Sequence, residues 1–258
     1  MLVKIQSAEQ LVDMLIDEVI ARKLDAFELR ASLPAQAHLY ARTSAVRHTL
    51  ALSTNPRNLY DQFSKMHRRN IRKAERAGVR VELGRSLSDI QAFYHLHLLT
   101  RQRQGMPIQP RRFFRLLQEQ VMKSGLGFVL TAHVNQVPVA AAVFLAWNGV
   151  LIYKYGASDQ RFWEYRPNNL LFWEAIQWGC EHGYQTLDLG RSGLEDLGLR
   201  EFKTGWGARE EPLIYSVIAD APPKPPSARL KKAMNTVIRH APGHACQIIG
   251  ELFYRYAA

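Results

Sequence analysis

The chain has 258 residues, 47% of them apolar and 22% charged, the balance of a globular protein rather than a disordered one. That length holds one large domain or two small ones, and no stretch approaches the roughly 18 uninterrupted apolar residues of a membrane span. Lysine and arginine number 34 against 23 acidic residues, a formal charge of +11, which favours polyanionic partners: nucleic acid, nucleotide-linked sugars or an anionic membrane.

The first residues include Gln6, Glu9, Gln10 and Asp13, which interrupt any apolar core too early for a secretory signal. Residues 7–22 predict an amphipathic helix with Leu11, Leu15 and Val19 on one face and Ser7 as its cap. Residues 26–31 and 45–52 predict strands. Asn55-Pro56 then opens a long helix over about 57–77, ended by Gly78. A strand over 79–83 follows, then helices over 87–104 and 110–123, split by Gly105 and Pro107. The middle is β-rich, with strands over 127–134, 138–147 and 150–157; Asn148-Gly149 is the stronger hairpin signal. Residues 167–182 form a helix that is apolar nearly all round and so buried. A short strand over 186–189, a loop holding Gly190 and Gly193, and a last strand over 213–218 complete the plan. Residues 221–226 read as a stiff linker. The tail from Ser227 is helical in pattern, broken by Pro242-Gly243. The fold class is mixed α/β.

The excess charge is concentrated. Residues 65–80 carry seven basic residues against one acidic, and residues 220–258 carry six against two. Cys180 and Cys246 form no CxxC pair. A disulfide framework and a thiolate zinc site are therefore not expected, and a reducing cytoplasm is the default.

Five pieces then stand in order: residues 153–158 (YKYGAS), 166–171 (RPNNLL), 173–176 (WEAI), 188–190 (DLG) and 201–207 (EFKTGWG). Together they resemble the Fem-type (FemABX) peptidoglycan-bridge aminoacyltransferases and their relatives in the GNAT acyltransferase superfamily. The basic stretch 67–74 is similar to the helix that precedes the second GNAT-like half in that family. The match runs from about Asn58 to Val217. It implies a GNAT-like, mostly antiparallel sheet flanked by helices. Residues 1–55 look like the end of a first GNAT-like half, either naturally short or lacking an upstream portion. Residues 56–219 form the acyltransferase domain, and 220–258 the linker and basic tail. Coenzyme-A users of the superfamily carry a glycine-rich loop before their crossover helix, whose backbone N–H groups hold pyrophosphate. Here residues 160–170 (QRFWEYRPNNL) contain no glycine, which favours an aminoacyl-tRNA donor over acyl-CoA.

The resemblance implies aminolysis of an activated acyl group, with no bound cofactor and the donor as a substrate. The acceptor is an amine on an anionic cell-envelope precursor of peptidoglycan or polysaccharide. Phe202-Lys203 matches a family pattern near the acyl-transfer centre, which makes Lys203 the candidate for the positive charge; a surface lysine is the plain competitor. Tyr153 and Tyr155, two apart on a strand, are expected on one face in the acceptor groove. Arg166 offers a fork to an anion, with Asn169 and Phe202 as neighbouring substrate contacts; Asn168 and Asn169 equally suit a helix cap. Asp188 and Glu201 are candidate proton acceptors, or structural carboxylates paired with Arg191 or Arg200. Arg69, Arg72 and Lys73, with Arg76, fall at i, i+3, i+4 and i+7 on one helical face, against an apolar side of Leu59, Phe63, Met66, Ile71 and Ala74. That cationic face is either solvated or laid on tRNA or diphosphate oxygens. The tail packs on the core or rests on the inner face of a membrane. Trp163, Trp173 and Trp178 read as core.

Other classes lack their motifs: there is no GxxxxGK[ST], HExxH or GxSxG. His240 and His244 are separated by Pro242 and Gly243, and His95 and His97 face different ways, so no metal site is expected. Two alternatives remain: an acetyl-CoA-dependent N-acetyltransferase, and a non-catalytic module that binds RNA or another polyanion.

Overall fold

A computed structural model describes residues 8–221 together with Thr236, Ile238, Arg239, residues 246–248, Gly250 and Glu251. In chain order the elements are α1 (Ala8–Ala21), β1 (Phe27–Leu29), β2 (Leu39–Ala51), α2 (Pro56–Tyr60), α3 (Lys65–Arg76), β3 (Arg80–Gly84) and α4 (Leu87–Gln104). Next come α5 (Arg111–Leu117), running into a π turn (Gln118–Met122), then β4 (Gly127–Val134), β5 (Val137–Trp147) and β6 (Val150–Ser158). A 3-10 turn (Gln160–Tyr165), α6 (Pro167–Glu181), β7 (Thr186–Gly193), α7 (Leu197–Thr204) and β8 (Arg209–Ile218) follow. Among the described residues, no helix is long and apolar enough to cross a membrane.

The described chain divides into two compact units that interleave in sequence. One takes residues 8–48, 191–201 and 210–221; the other takes 49–190, 202–209 and the described tail residues. In the first, β1 runs antiparallel to β8, with Phe27 opposite Ile218. The Ser216 hydroxyl there donates to the Ala31 carbonyl at 2.8 Å and accepts from Leu33 N. Arg200 forks onto Glu210, which also meets the buried His48 at 3.0 Å. Arg200 therefore has an ion-pair partner in Glu210, ten residues on.

In the second unit the strand order is β7-β6-β5-β4-β3, antiparallel except for the parallel β6–β7 pair. Both sheet faces are covered, so its strands are apolar on both sides. Alternation sends Phe128, Phe144 and Leu151 to one layer with α3 and α6. Val129, Val143 and Ala157 go to the other layer, with α4 and α5. The first layer centres on Trp206, fully buried, with Phe63 edge-on to it at 5.0 Å and Phe172 stacked at 5.8 Å. Ile238 and Cys246 of the tail are buried in the second layer, so the tail packs on the core at these points.

Several expectations change. The long helix over 57–77 is two helices. Ser64 stops continuity by capping α3, its hydroxyl accepting from His67 N at 3.2 Å while its own N–H donates to Gly205. Phe63 dives between them into the core. On α3, Met66 is 40% exposed and His67 takes the inward position beside Ile71 and Ala74. The loop after residue 189 is instead the rest of β7 followed by α7, which Gly193 and Gly198 disguise in the sequence. Trp163 is 43% exposed rather than core. The Ser7 cap, residues 222–226, Pro242-Gly243, His240 and His244 lie outside the described residues.

Candidate active site

The site is built where two strands part. β6 and β7 pair over only three residues each, ending at Ile152 opposite Asp188. Beyond that point two local features draw them apart. On β6, Val143 of β5 faces Tyr155 and Phe144 faces Tyr153, so Lys154 is an unopposed bulge residue. On β7, Gly190 adopts φ +71°, a left-handed conformation that favours glycine. The Asp188 carboxylate accepts from Gly190 N at 2.8 Å and holds that turn.

The bulge overturns the expectation that Tyr153 and Tyr155 share a face. Tyr153 packs in the first layer, 4.8 Å from Phe172 and 5.7 Å from Phe144. Tyr155 packs in the second, 5.5 Å from Phe114 and 5.7 Å from His97. One extra residue reverses the alternation that sequence spacing assumes. The Tyr153 phenol lies over Gly156, whose missing side chain leaves room for it. Burial pushes its pKa up to about 12, so the phenol stays a hydrogen-bond donor at neutral pH.

Lys203 lies on the same splay. Its side chain is 3% exposed, and Nζ donates to the Gly190 carbonyl at 3.1 Å. α7 thus delivers an ammonium to the wall of the gap where the strands separate. Charge in such a water-poor place acts more strongly than at the surface.

A buried network fixes the residue before it. His67 Nε2 donates to the Phe202 carbonyl at 2.8 Å, while Nδ1 accepts from the Asn169 amide at 2.8 Å. The ring stacks on Trp206 at 4.1 Å, with Phe202 edge-on at 5.0 Å. Burial pushes its pKa down, so it is the neutral tautomer that spans α3, α6 and α7. Asn169 therefore serves His67 rather than capping α6, whose N-cap is Arg166 without a side-chain bond. Phe202 is a ring in that cluster. His67 is a positioning residue that no charge or spacing argument singles out.

Arg166 is exposed, at φ +57° between the 3-10 turn and α6. Arg69, Arg72 and Lys73 are exposed on the outer face of α3. Arg69 and Arg72 line a shallow cavity of about 490 Å³ with Lys65, Met66 and Arg68. Among the described residues, none of these cations forms an ion pair. The entry to α6 has few free donors: Arg161 N, Phe162 N, Arg166 N and Asn169 N are all bonded within the segment, and Pro167 has no N–H. Among the described residues there is no cluster of histidine, cysteine and carboxylate side chains fit for a metal ion.

Residues 61–204 match the family model described as acetyltransferase (GNAT) domain. The chain belongs to that family. Membership places this GNAT chain in an acyltransferase class. It is 29% identical over 91 residues to the lipid II:glycine glycyltransferase of Staphylococcus haemolyticus (strain JCSC1435). That alignment takes in 33% of this chain and only 22% of the relative's length. The crystal structure of FemX superposes with a TM-score of 0.65 over 88% of this chain and 78% of FemX, at 14% identity. The C-terminal domain of a putative lysylphosphatidylglycerol synthetase from Agrobacterium fabrum does so at 0.56, over 90% and 79%, with 16% identity. The structural likenesses bear on fold. They agree with the GNAT-like sheet expected, and the FemX and glycyltransferase matches agree with the Fem-type resemblance.

Proposed function

We propose that this GNAT chain is a Fem-type N-acyltransferase that moves an aminoacyl or acyl group onto an amine of an anionic cell-envelope precursor. The observation that carries the reading is the buried Lys203 ammonium at Gly190, on the wall where β6 and β7 part. In the transfer, the acceptor nitrogen bonds to the donor carbonyl carbon, the acyl carbon–oxygen bond of the donor ester breaks, and the proton released by the amine ends on the departing ester oxygen, which leaves as a hydroxyl. Lys203 supplies positive charge for the oxyanion or for the donor's terminal ribose and phosphate. The Tyr153 phenol, over Gly156 on β6, is a further donor, and bringing the two substrates together in the splay supplies alignment.

An aminoacyl-tRNA donor is supported by two features. At the entry to α6 the N–H groups of Arg161, Phe162, Arg166 and Asn169 are bonded within the segment and Pro167 has none, which weakens it as a pyrophosphate cradle of the kind coenzyme A needs. The α3 face presents Arg69, Arg72 and Lys73 to solvent, as phosphate contacts require. The matched glycyltransferase, named for lipid II, supports an envelope precursor as acceptor.

Transfer of a labelled amino acid from charged tRNA to an envelope precursor tests the reading. Lys203→Met should lower the rate at least about a hundredfold while circular dichroism stays that of the parent. Full activity in a folded Lys203→Met protein would overturn the role.

A further inference from the structure

A different set of side chains meets at the end of the second unit's sheet where β5 turns into β6. Alternation along β5 puts Trp147, after Val143 and Leu145, on the face that α4 and α5 cover. Trp147 stands at the hairpin tip opposite Val150 and is 69% exposed. Neighbouring segments are stitched to that tip. The Leu126 carbonyl accepts from Ala146 N at 2.9 Å, which sets the turn before β4 beside Trp147. β3 ends at Gly84, opposite Val129 near the start of β4. The Arg85 carbonyl accepts from Gln118 Nε2 at 2.9 Å, so the approach to α4 and the π turn after α5 reach the same end of the sheet.

This end is apolar and cationic at once. Leu126 is 36% exposed and Leu87, at the start of α4, is 44% exposed. Arg85 and Lys123 are exposed alongside them. Leu87 also lines an open groove of about 540 Å³ with the exposed Arg112 and Arg115 of α5. Asp89 and Glu119 are engaged: Asp89 accepts from Ser86 N at 2.7 Å in the α4 cap, and Glu119 lies 3.8 Å from Arg115. Large apolar side chains exposed singly are ordinary, whereas a tryptophan and two leucines set among four cations mark a contact surface. Indole rings settle at the headgroup level of a bilayer, aliphatic side chains enter below it, and arginine and lysine reach the lipid phosphates. RNA would use the ring and the cations but gains nothing from exposed leucines. The apolar residues stand on separate tips (a hairpin, a turn and a helix start), which suits a fluid partner that conforms to them.

We propose that this end of the second unit docks on an anionic phospholipid bilayer, with Trp147 at the headgroup level and Arg85, Arg112, Arg115 and Lys123 on the lipid phosphates. The docking does not depend on the transferase reading. It is also separate from the cationic face of α3, which packs with α6 in the first layer, across the sheet from α4 and α5. Adsorption driven only by the net charge of +11 would use either face, whereas insertion of Trp147 uses this one.

The test is flotation of the whole chain with vesicles of equal parts phosphatidylglycerol and phosphatidylcholine, against vesicles of phosphatidylcholine alone. The parent should float with the anionic vesicles and not with the neutral ones. Leu126→Ser/Trp147→Ser and Arg112→Gln/Lys123→Gln should each lower the bound fraction at least about fivefold, with the circular dichroism of the parent. Arg69→Gln/Arg72→Gln should leave it unchanged. Acyl-brominated phosphatidylglycerol should quench part of the parent's tryptophan fluorescence. Trp147→Phe keeps a ring at an exposed position, so it covers the case in which a double variant misfolds, and it should remove that quenching. No flotation of the parent, flotation undiminished in both patch variants, loss in the α3 variant instead, or quenching that persists in Trp147→Phe overturns the surface. Loss of tRNA filter binding in Leu126→Ser/Trp147→Ser, with vesicle binding intact, assigns the patch to RNA and overturns it too.

Discussion

At the scale of single residues, burial sets the state of this protein's inward-facing histidines. Lys203 is buried, and its Nζ donates a hydrogen bond to the Gly190 carbonyl. His67 and His97 are buried as neutral rings. His97 stacks on Phe93 at 5.1 Å, donates to Gln109 at 2.8 Å, and is pushed down by burial to about 4. An unfolded histidine takes its proton near pH 6.5. Between about 6.5 and 4 the unfolded chain therefore binds a proton that the native chain refuses, and stability falls as pH falls. The loss approaches about 1.4 kcal/mol per pH unit for this group, of order 3 kcal/mol in all. His67 adds to it with the same sign. Urea unfolding at pH 7.5 and pH 5 should show this drop in the parent and a smaller one in His97→Gln. An unchanged pH dependence in that variant would discount His97.

At the scale of elements, α3 has two faces with different tasks. Inward, His67, Ile71 and Ala74 join it to α6 and α7; outward, Arg69, Arg72 and Lys73 meet water. A cationic stripe on a rigid, capped helix keeps its spacing, so its binding to RNA should be dominated by counterion release. Neutralising Arg69, Arg72 and Lys73 with glutamine should flatten the plot of log affinity against log salt by about two to three units, since each phosphate contact contributes close to one. Filter binding with tRNA from 50 to 300 mM salt measures it, and an unaltered slope would move the RNA contact elsewhere. Because the inward face is untouched, the melting temperature should hold. This face was legible in the sequence, since a helix fixes which residues neighbour each other. The inward histidine was not, because a buried neutral ring leaves no periodic signal.

At the scale of the whole chain, the decisive feature is the departure of β6 from β7, with the entry to α6 closed on itself. Coenzyme A would need backbone donors that Arg161, Phe162, Arg166 and Asn169 have already committed. Calorimetric titration with coenzyme A should therefore show no binding in the low micromolar range where a phosphate cradle would operate. Tight binding would restore the acyl-CoA donor. The interleaving of the two units also explains what the chain order obscured. Residues 191–201 and 210–221 group with the N-terminal segment although they flank the α7 residues that carry Lys203.

The three antiparallel strands β4, β5 and β6, the buried α6 and the outer face of α3 were determined by the sequence itself. Apolar runs, an Asn-Gly turn and a 3.6-residue repeat act over a few residues and need no distant partner. Tertiary structure alone decided the rest. Lys154 becomes a bulge only through its register with β5, and that single slip puts Tyr153 and Tyr155 on opposite faces. Lys203 meets Gly190, His67 meets Phe202, and Arg103 meets Ser158 across 13, 135 and 55 residues. Such contacts form because packing brings separate segments together, and local pattern carries no record of them.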